Sequence, residues 1–246
     1  MTRSTSFNKA APQYAKYRPS YPPQLLDTIE SLAAHPLQHA RIADIGAGTG
    51  IASTLLHARG ARVTAVEPGE GMAAQFRRTY PEIPLVRGDG NHLPLATASA
   101  DFITYAQAWH WTDPAKAGPE ARRVLRPGGT LALWWNRTDH SVPWLAEQDA
   151  RIHAFFGTGG TEPAARGGHL WTDVPGLTFT ERHIPHTREV SLDTHLANLG
   201  SHSMFLVLGE EGTREFMTRE REILNDLFPD GKLRESYVVD LRLART

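Results

Sequence analysis

The sequence predicts an α/β fold built on a mostly parallel sheet. Three observations predict it: short apolar runs alternate with helix-spaced segments from Arg41 to Trp135, the first run ends in a glycine-rich loop, and no repeat or low-complexity tract interrupts the rhythm. Strand–helix–strand units of this length lay successive strands parallel and join them by right-handed crossovers.

Taken in order, Pro23 to Ala34 reads as a helix, because Leu25, Leu26, Ile29 and Leu32 recur near helical spacing and proline occupies the first turn. Arg41 to Ile45 is a short apolar run, the first strand, and Thr49 to Ala58 resumes helical spacing through Ile51, Leu55 and Leu56. Arg62 to Val66 is brief and β-branched, the second strand, ending at Glu67. A helix over Gly71 to Thr79 is stopped by Pro81, and Ile83 to Val86 is the third strand. Asp101 to Ala106 is the fourth, leading through Trp109-His110-Trp111 into a helix over Pro114 to Leu125. Arg126-Pro127-Gly128-Gly129 then turns into a fifth strand, Thr130 to Trp135. Beyond Asn136 the rhythm changes. A helix over Trp144 to Phe156 is followed by Gly157-Thr158-Gly159-Gly160 and Gly167-Gly168, so Val142 to Gly176 reads as a mobile cap or loop. Leu177 to Val190 and Arg234 to Leu243 are strand-like, with helices near Leu192 to Leu208 and Glu210 to Leu227 between them.

Composition removes several function classes. The 26 Lys and Arg against 27 Asp and Glu leave a net charge of -1, which offers no basic surface to grip a nucleic acid. With no cysteine there is neither a disulfide framework nor a thiolate zinc site. His183, His186, His195 and His202 recur without a repeated ligand spacing, so no metal is expected. No apolar run approaches a membrane span, and the basic stretch Thr2 to Lys9 is soon interrupted by Pro12, Pro19, Pro22 and Pro23. A cytoplasmic monomer or homodimer acting on a small molecule is the expectation.

The chemistry concentrates in Asp44-Ile45-Gly46-Ala47-Gly48-Thr49-Gly50. A strand that ends in Gly-x-Gly-x-Gly and runs into a helix brings bare backbone against a ligand, because glycine lacks a Cβ and tolerates positive φ. Glu67 follows about 20 residues later at the end of the next strand, where an acid takes ribose hydroxyls in nucleotide-binding folds. The pair suits an adenosine-bearing cofactor. A dinucleotide fingerprint needs a third glycine where this chain has Ile51, which weakens an NAD(P)-dependent oxidoreductase reading, and no Gly-Lys-Ser/Thr ending is present for a nucleoside triphosphate.

The ordered set Asp44-x-Gly46-x-Gly48-x-Gly50, Glu67, Gly88-Asp89 and Arg123-Val124-Leu125-Arg126-Pro127-Gly128-Gly129 resembles the motifs of class I S-adenosylmethionine-dependent methyltransferases. Tyr17-Arg18-Pro19-x-Tyr21-Pro22 and Gln107-Ala108-Trp109-His110-Trp111 bring it nearest the small-molecule subgroup with ubiquinone/menaquinone-type and trans-aconitate-type enzymes. The resemblance implies a Rossmann-like seven-stranded sheet with an antiparallel last strand and helices on both faces. It implies one domain over 1–246, with an N-terminal helical cover (1–35), a cofactor-binding core (36–136), a cap insertion (137–176) and the final strands with their helices (177–246).

It also implies roles for S-adenosyl-L-methionine. Asp44, Gly46, Ala47, Gly48, Thr49 and Gly50 would hold the methionine portion, and Glu67 the ribose. Asp89 would bond the adenine amino group, with Gly88, Gly90, Asn91, Pro68 and Met72 beside it. Gln107 follows the fourth strand, where the family places residues facing both cofactor and substrate, with Trp109 beside the cofactor; Tyr14 and Arg18 would reach the cofactor from the N-terminal segment, where the Arg18 guanidinium could pair with the cofactor carboxylate or an acidic substrate. Tyr17, Tyr21 and Trp111 are the aromatic candidates for the acceptor, since aromatic faces attract cationic groups. His110, at the strand end where ligands sit in such sheets, is the candidate proton acceptor. A non-catalytic cofactor-binding or regulatory protein on the same fold is the alternative that these residues leave open.

Overall fold

The structure is a computed structural model and describes residues 11–157 and 174–246. The stretch Thr2 to Lys9, Thr158-Gly159-Gly160 and Gly167-Gly168 lie outside the described residues. The elements are α1 (Pro23–Ala33), β1 (Arg41–Ile45), α2 (Ile51–Ala58), β2 (Arg62–Glu67), α3 (Glu70–Thr79), β3 (Leu85–Arg87) and β4 (Ala100–Ala106). They continue as α4 (Pro114–Val124), β5 (Leu125–Thr138), α5 (Pro143–Phe155), β6 (Thr180–Ser191), α6 (Leu192–Gly200), α7 (Ser203–Leu227) and β7 (Lys232–Arg245). A short 3-10 turn covers Trp109–Trp111. The strands form one sheet in the order β3-β2-β1-β4-β5-β7-β6, with the last strand antiparallel. Among the described residues no helix is long and apolar enough to cross a membrane.

The chain divides into two compact units. The first comprises Ser20–Asn136, Gly167–Ile184 and Val239–Thr246. Its strands β1 to β5 pair in parallel, with Asp44 beside Ala65 on one side and Thr104 on the other. Side chains alternate across the pleat, so Ile42, Phe102, Ala132 and Trp134 pack on one face under α1, α2 and Phe76. Ala43, Ile103, Tyr105, Leu133 and Trp135 pack on the other, under Ala117, Ala121 and Val124 of α4. Helix α1 starts on proline and closes at Ala34, whose left-handed φ of 50° turns the following N–H, that of His35, back onto the Glu30 carbonyl at 3.3 Å.

Differences from the sequence expectation have local causes. Helix α2 begins at Ile51 rather than Thr49 because Gly50 sits at φ 97°, outside the helical region. The third strand is displaced to Leu85–Arg87, since Pro84 has no N–H for the ladder and contributes only its carbonyl to Ala65. The fifth starts at Leu125, which pairs with Ala100; the next pair is Phe102 with Thr130, so Arg126 to Gly129 bulge outward opposite Asp101.

The second unit comprises Met1–Pro19, Arg137–Arg166 and Pro185–Val238. Residues 11–17 are helical, and α5, α6 and α7 enclose two apolar clusters, Leu192, Leu196, Leu224 and Leu233 in one and Leu199, Phe205 and Phe216 in the other. The expected helix break before Glu210 is present at Gly209, in a non-helical conformation with φ 81°, but α6 already ends at Gly200. The segment expected as a cap does not stay together: α5 belongs to this unit, while Val174 is buried in the first unit against Gly118.

Candidate functional site

The glycine loop joins β1 to α2 by a backbone that only glycine adopts without strain. Gly46, Gly48 and Gly50 lie at φ 67°, 59° and 97°. They are glycines for different reasons. A Cβ on Gly46 would stand 2.5 Å from the Cβ of Ala108, and one on Gly50 would meet Tyr80 and Phe76 at 2.8 to 2.9 Å. Among the described residues nothing lies within 4 Å of a Cβ placed on Gly48, so its backbone is bare toward the space above it. The N–H groups of Gly46 and Ala47 both donate to the Val66 carbonyl, at 2.8 and 3.1 Å, which seats the loop over the end of β2. Beside it the hydroxyl of Thr49 is buried and has no hydrogen-bond partner among the described residues.

Two carboxylates hold this loop. Asp44 is wholly buried and accepts from Ser53 Oγ at 2.6 Å and Thr104 Oγ1 at 2.7 Å. Burial pushes its carboxyl up to about 6, against the lowering pull of those two hydroxyls. Glu67 accepts from the Gly48 N–H at 2.8 Å and the Gly69 N–H at 2.6 Å, and so ties the loop to the start of α3. Burial raises Glu67 too; the amides of Gly69 and Gly48 and the Arg87 charge oppose the rise, and the Asp44 charge adds to it. The sequence placed Asp44 against the methionine portion of a cofactor. In the structure its carboxylate is wholly buried between α2 and β4, one oxygen bonded to the Ser53 hydroxyl and the other to that of Thr104.

The remaining candidates of the first unit fall around the strand ends. Gly88 packs on Pro94 and Val66, where a Cβ would come within 2.7 to 3.3 Å. Asp89 is exposed, and its Oδ1 accepts from the N–H groups of Asn91 at 2.7 Å and His92 at 3.2 Å, an Asx turn that leaves Oδ2 out of both bonds. Asn91 in turn accepts from the Asp113 N–H at 2.8 Å, just before α4, and Gly90 is closed in by Thr112 and Tyr105. Pro68 is exposed and Met72 buried at the start of α3. Gln107 holds a left-handed φ of 56°, uncommon for a residue with a Cβ, and its N–H is bound to the Trp134 carbonyl at 2.8 Å.

Two aromatic expectations change. Trp109 has no exposure at all and packs edge-on against Tyr105 at 4.8 Å, which makes it core beneath the loop rather than a ligand-facing wall. Tyr21 is partly buried and stands edge-on to Trp134 at 5.8 Å, while Trp111 is 44% exposed beside His110. His110 accepts at Nδ1 from the indole N–H of Trp135 at 3.2 Å. An indole nitrogen only donates, so the neutral ring carries its proton on Nε2, and the proton acceptor expected from sequence is in this tautomer a donor. Sequence reasoning gave no role to Ser53, Thr104, Gly69, Ala108 and Trp135; Thr104 and Trp135 arrive through strand register, Ser53 from α2, and Gly69 and Ala108 through the backbone turns that follow β2 and β4.

Tyr14, Tyr17 and Arg18 belong to the second unit. Arg18 stacks over Tyr14 at 4.8 Å and donates to the Ser201 carbonyl at 3.2 Å; the Tyr17 carbonyl accepts from Arg188 at 3.0 Å. The same unit holds a buried polar chain. Glu235 accepts from Arg188, from Tyr237 at 2.8 Å and bonds His195 Nδ1 at 2.6 Å, while Gln148 links His195 to Glu220. Burial alone would raise Glu235, but His195 and Arg188 hold it at about 2. Burial, then the charges of Arg18 and His195, keep His202 well below the usual histidine range.

Comparison with known proteins bears on this geometry. The family described as Methyltransferase domain matches residues 43–133. An uncharacterized methyltransferase of Mycobacterium bovis is 44% identical over 144 residues, which are 58% of this chain and 57% of that protein. The match thus spans little more than half of either. A solved structure from Anaeromyxobacter dehalogenans, provisionally described as a type II methyltransferase, superposes with a TM-score of 0.72 at 26% identity, over 93% of this chain and 98% of that one. Phosphoethanolamine N-methyltransferase 2 of Haemonchus contortus, solved with phosphomonomethylethanolamine and S-adenosylhomocysteine, shares the fold at TM-score 0.56 and 12% identity, over 100% of this chain and 60% of that one.

Proposed function

Because this chain belongs to the class I S-adenosylmethionine-dependent methyltransferase family, we propose that it transfers the cofactor methyl to an oxygen, nitrogen or carbon of a small-molecule acceptor. The observation that carries this reading is the loop: backbone left bare at Gly48 and a Thr49 hydroxyl without a hydrogen-bond partner, both among the described residues, with Glu67 bonded to the Gly48 N–H. That cradle fits a ligand with a polar, adenosine-bearing body. The bound cofactor supplies an electrophilic methyl on a sulfonium.

The residues bind and orient. Gly46 to Gly50 would take the methionine portion, Glu67 the ribose through lone pairs that its two amide bonds leave over, and Asp89 the adenine amino group through Oδ2. Gly88, Gly90 and Asn91 shape that turn, with Pro68 and Met72 beside it. Gln107, held in its strained conformation at the end of β4, would face both cofactor and acceptor, with Tyr21 and Trp111 on the acceptor side. The assignment of Tyr14 and Arg18 to the cofactor and of Tyr17 to the acceptor rests on the family resemblance alone. In-line displacement asks mainly for alignment and exclusion of water, so no metal enters this reading.

The near balance of charge supports a small acceptor over a nucleic acid, and the Haemonchus protein gives a precedent for a small acceptor on this fold. A cytoplasmic monomer or homodimer completes the reading. The test has two steps. Calorimetry with S-adenosylhomocysteine and with NAD(P) is expected to show binding of the first only. Incubation of the full chain with methyl-labelled cofactor and a broad small-molecule panel is expected to move label into one compound class; cofactor binding with no transfer to any member would instead mark a silent regulatory protein.

A further inference from the structure

The bulge at the start of β5 opens a cavity at the edge of the sheet opposite the glycine loop. Phe102 pairs in parallel with Thr130, so both side chains lie on the face under α1. His35, just past the end of that helix, stands edge-on to Phe102 at 5.4 Å. The space left there is a cavity of about 380 Å³, walled by His35, Asp101 and the bulge from Arg126 to Gly129, with Thr130 in its lining. That volume holds a small metabolite. All of it belongs to the first unit, and about 20 Å of β4 separates Asp101 from Gln107 at the other end of the strand. The Thr246 N–H, bonded to the Gly129 carbonyl at 2.9 Å, anchors the bulge.

The lining has two chemical halves. One half donates. The Arg126 side chain is 53% exposed and meets one carboxylate oxygen, Asp101 Oδ1, at 3.5 Å, which leaves most of its N–H groups uncommitted among the described residues. Thr130 is 1% exposed, and no described residue bonds its hydroxyl. Between them Gly128, at φ 78°, would carry a Cβ with nothing within 4 Å among the described residues, so that wall is bare backbone. The other half accepts. His35 Nδ1 lies 2.8 Å from the Pro36 carbonyl, an acceptor only, so in the neutral ring Nδ1 carries the proton and Nε2 offers a lone pair. Asp101 is ionised, because Arg41, bonded to it at 2.6 and 3.0 Å, holds its carboxyl at about 2. Two guanidiniums against one carboxylate favour an anion, and the two acceptors favour hydroxyls. We propose that this cavity is a second binding site, for a small polyol phosphate whose phosphate takes Arg126 and Thr130 and whose hydroxyls donate to His35 and Asp101. Sulfate satisfies only the first half, and an uncharged sugar only the second. The site is independent of the methyl-transfer reading.

Calorimetry on the full chain tests this with ribose 5-phosphate as the probe and with sulfate and free ribose as comparators. The probe is expected to bind about tenfold more tightly than either comparator, the scale of one hydrogen bond to a charged group, and to keep its affinity when S-adenosylhomocysteine is present in excess. In full-length protein labelled with nitrogen-15, it should move the amide resonances of Gly128, Gly129 and Thr130 and leave those of Gly46 to Gly50 in place. No heat and no shift at millimolar probe, shifts confined to the glycine loop, or displacement by S-adenosylhomocysteine overturns the proposal. Sulfate bound as tightly as the probe marks an unselective anion contact and overturns the polyol phosphate assignment; free ribose bound as tightly overturns the phosphate contact. Arg126→Gln removes an exposed charge and should weaken the probe about tenfold, and Thr130→Val, which keeps the shape of the side chain, should weaken it several-fold. Unchanged affinity in either variant overturns the contact assigned to that residue; if a variant does not fold, the wild-type shift map decides alone. Failure of S-adenosylhomocysteine to bind faults the methyl-transfer reading and leaves this site standing.

Discussion

Asp44→Asn isolates the cost of the charge buried beneath the loop. The carboxyl is fully buried and titrates at about 6, against 3.8 for an unperturbed group. Between those values the folded protein binds more protons than the unfolded chain, so stability falls as pH rises through the window and levels off above about 6. The displacement corresponds to roughly 3 kcal/mol of stability withheld at neutral pH. Asparagine carries no charge and keeps the shape. Its oxygen can accept from one of Ser53 and Thr104 while the other hydroxyl turns to accept from its amide, since a hydroxyl does both. The variant should therefore gain on the wild type by up to about 3 kcal/mol at pH 7.5, or about 6 to 12 °C in Tm for a chain of this size, and lose that advantage toward pH 4. Removing the Asp44 charge also removes one of the causes that raise Glu67, which steepens the contrast between the two proteins. Denaturant and thermal unfolding of both proteins across that pH range provide the assay. Two unfolding curves that run parallel from pH 4 to 7.5 would refute the raised carboxyl. Affinity for the sulfonium cofactor should move the other way, because a cationic ligand loses a negative charge near its loop, while the uncharged thioether of S-adenosylhomocysteine should bind with less change; an S-adenosylmethionine affinity equal in both proteins at pH 7.5 would sink that part.

The loop glycines separate shape from occupancy. Gly48→Ala places its Cβ in open space, so the variant should fold at a cost of about 1 to 2 kcal/mol for its left-handed backbone, while calorimetry shows S-adenosylhomocysteine binding weakened at least tenfold. Undiminished binding would put the ligand elsewhere. Gly46→Ala drives a Cβ into Ala108 and should instead lose soluble protein or several degrees of Tm by circular dichroism. Glu67→Gln has one acceptor oxygen for two amides, so the N–H of Gly48 or Gly69 goes unmatched at about 1 to 3 kcal/mol, read by thermal melts together with cofactor affinity. In the second unit, Glu235→Gln strands Arg188 and His195 and should cost about 3 to 5 kcal/mol, with hydrogen exchange quickened over residues 185–238. Because Glu235 titrates at about 2 rather than 4.5, its contribution is present above pH 4.5 and disappears as pH falls toward 2, so the wild type and this variant should converge in acid.

What the sequence reveals and what it hides divide along one physical line. The loop, β1, β2 and Glu67 are legible because each depends on a short continuous stretch: a strand pattern, a glycine spacing and an acid at the next strand end. Asp44 shows where that legibility stops. Its position in the motif is plain, yet whether it meets a ligand or the sheet depends on Thr104, which reaches it only because β1 and β4 pair with those two residues opposite each other. Trp109 and His110 make the same point from neighbouring positions. Three consecutive motif residues, Trp109, His110 and Trp111, are core, site and surface in turn, because a 3-10 turn rotates successive side chains through about a third of a circle. For His110 the consequence is chemical as well as geometric. A histidine after the fourth strand is a base or a donor according to which of its nitrogens finds a partner, and that partner, Trp135, is supplied by the register of β4 on β5. The glycine loop and its acidic brace are therefore written in local sequence. What surrounds His110 is written in the pairing of strands, since its bonded neighbour Trp135 comes from β5.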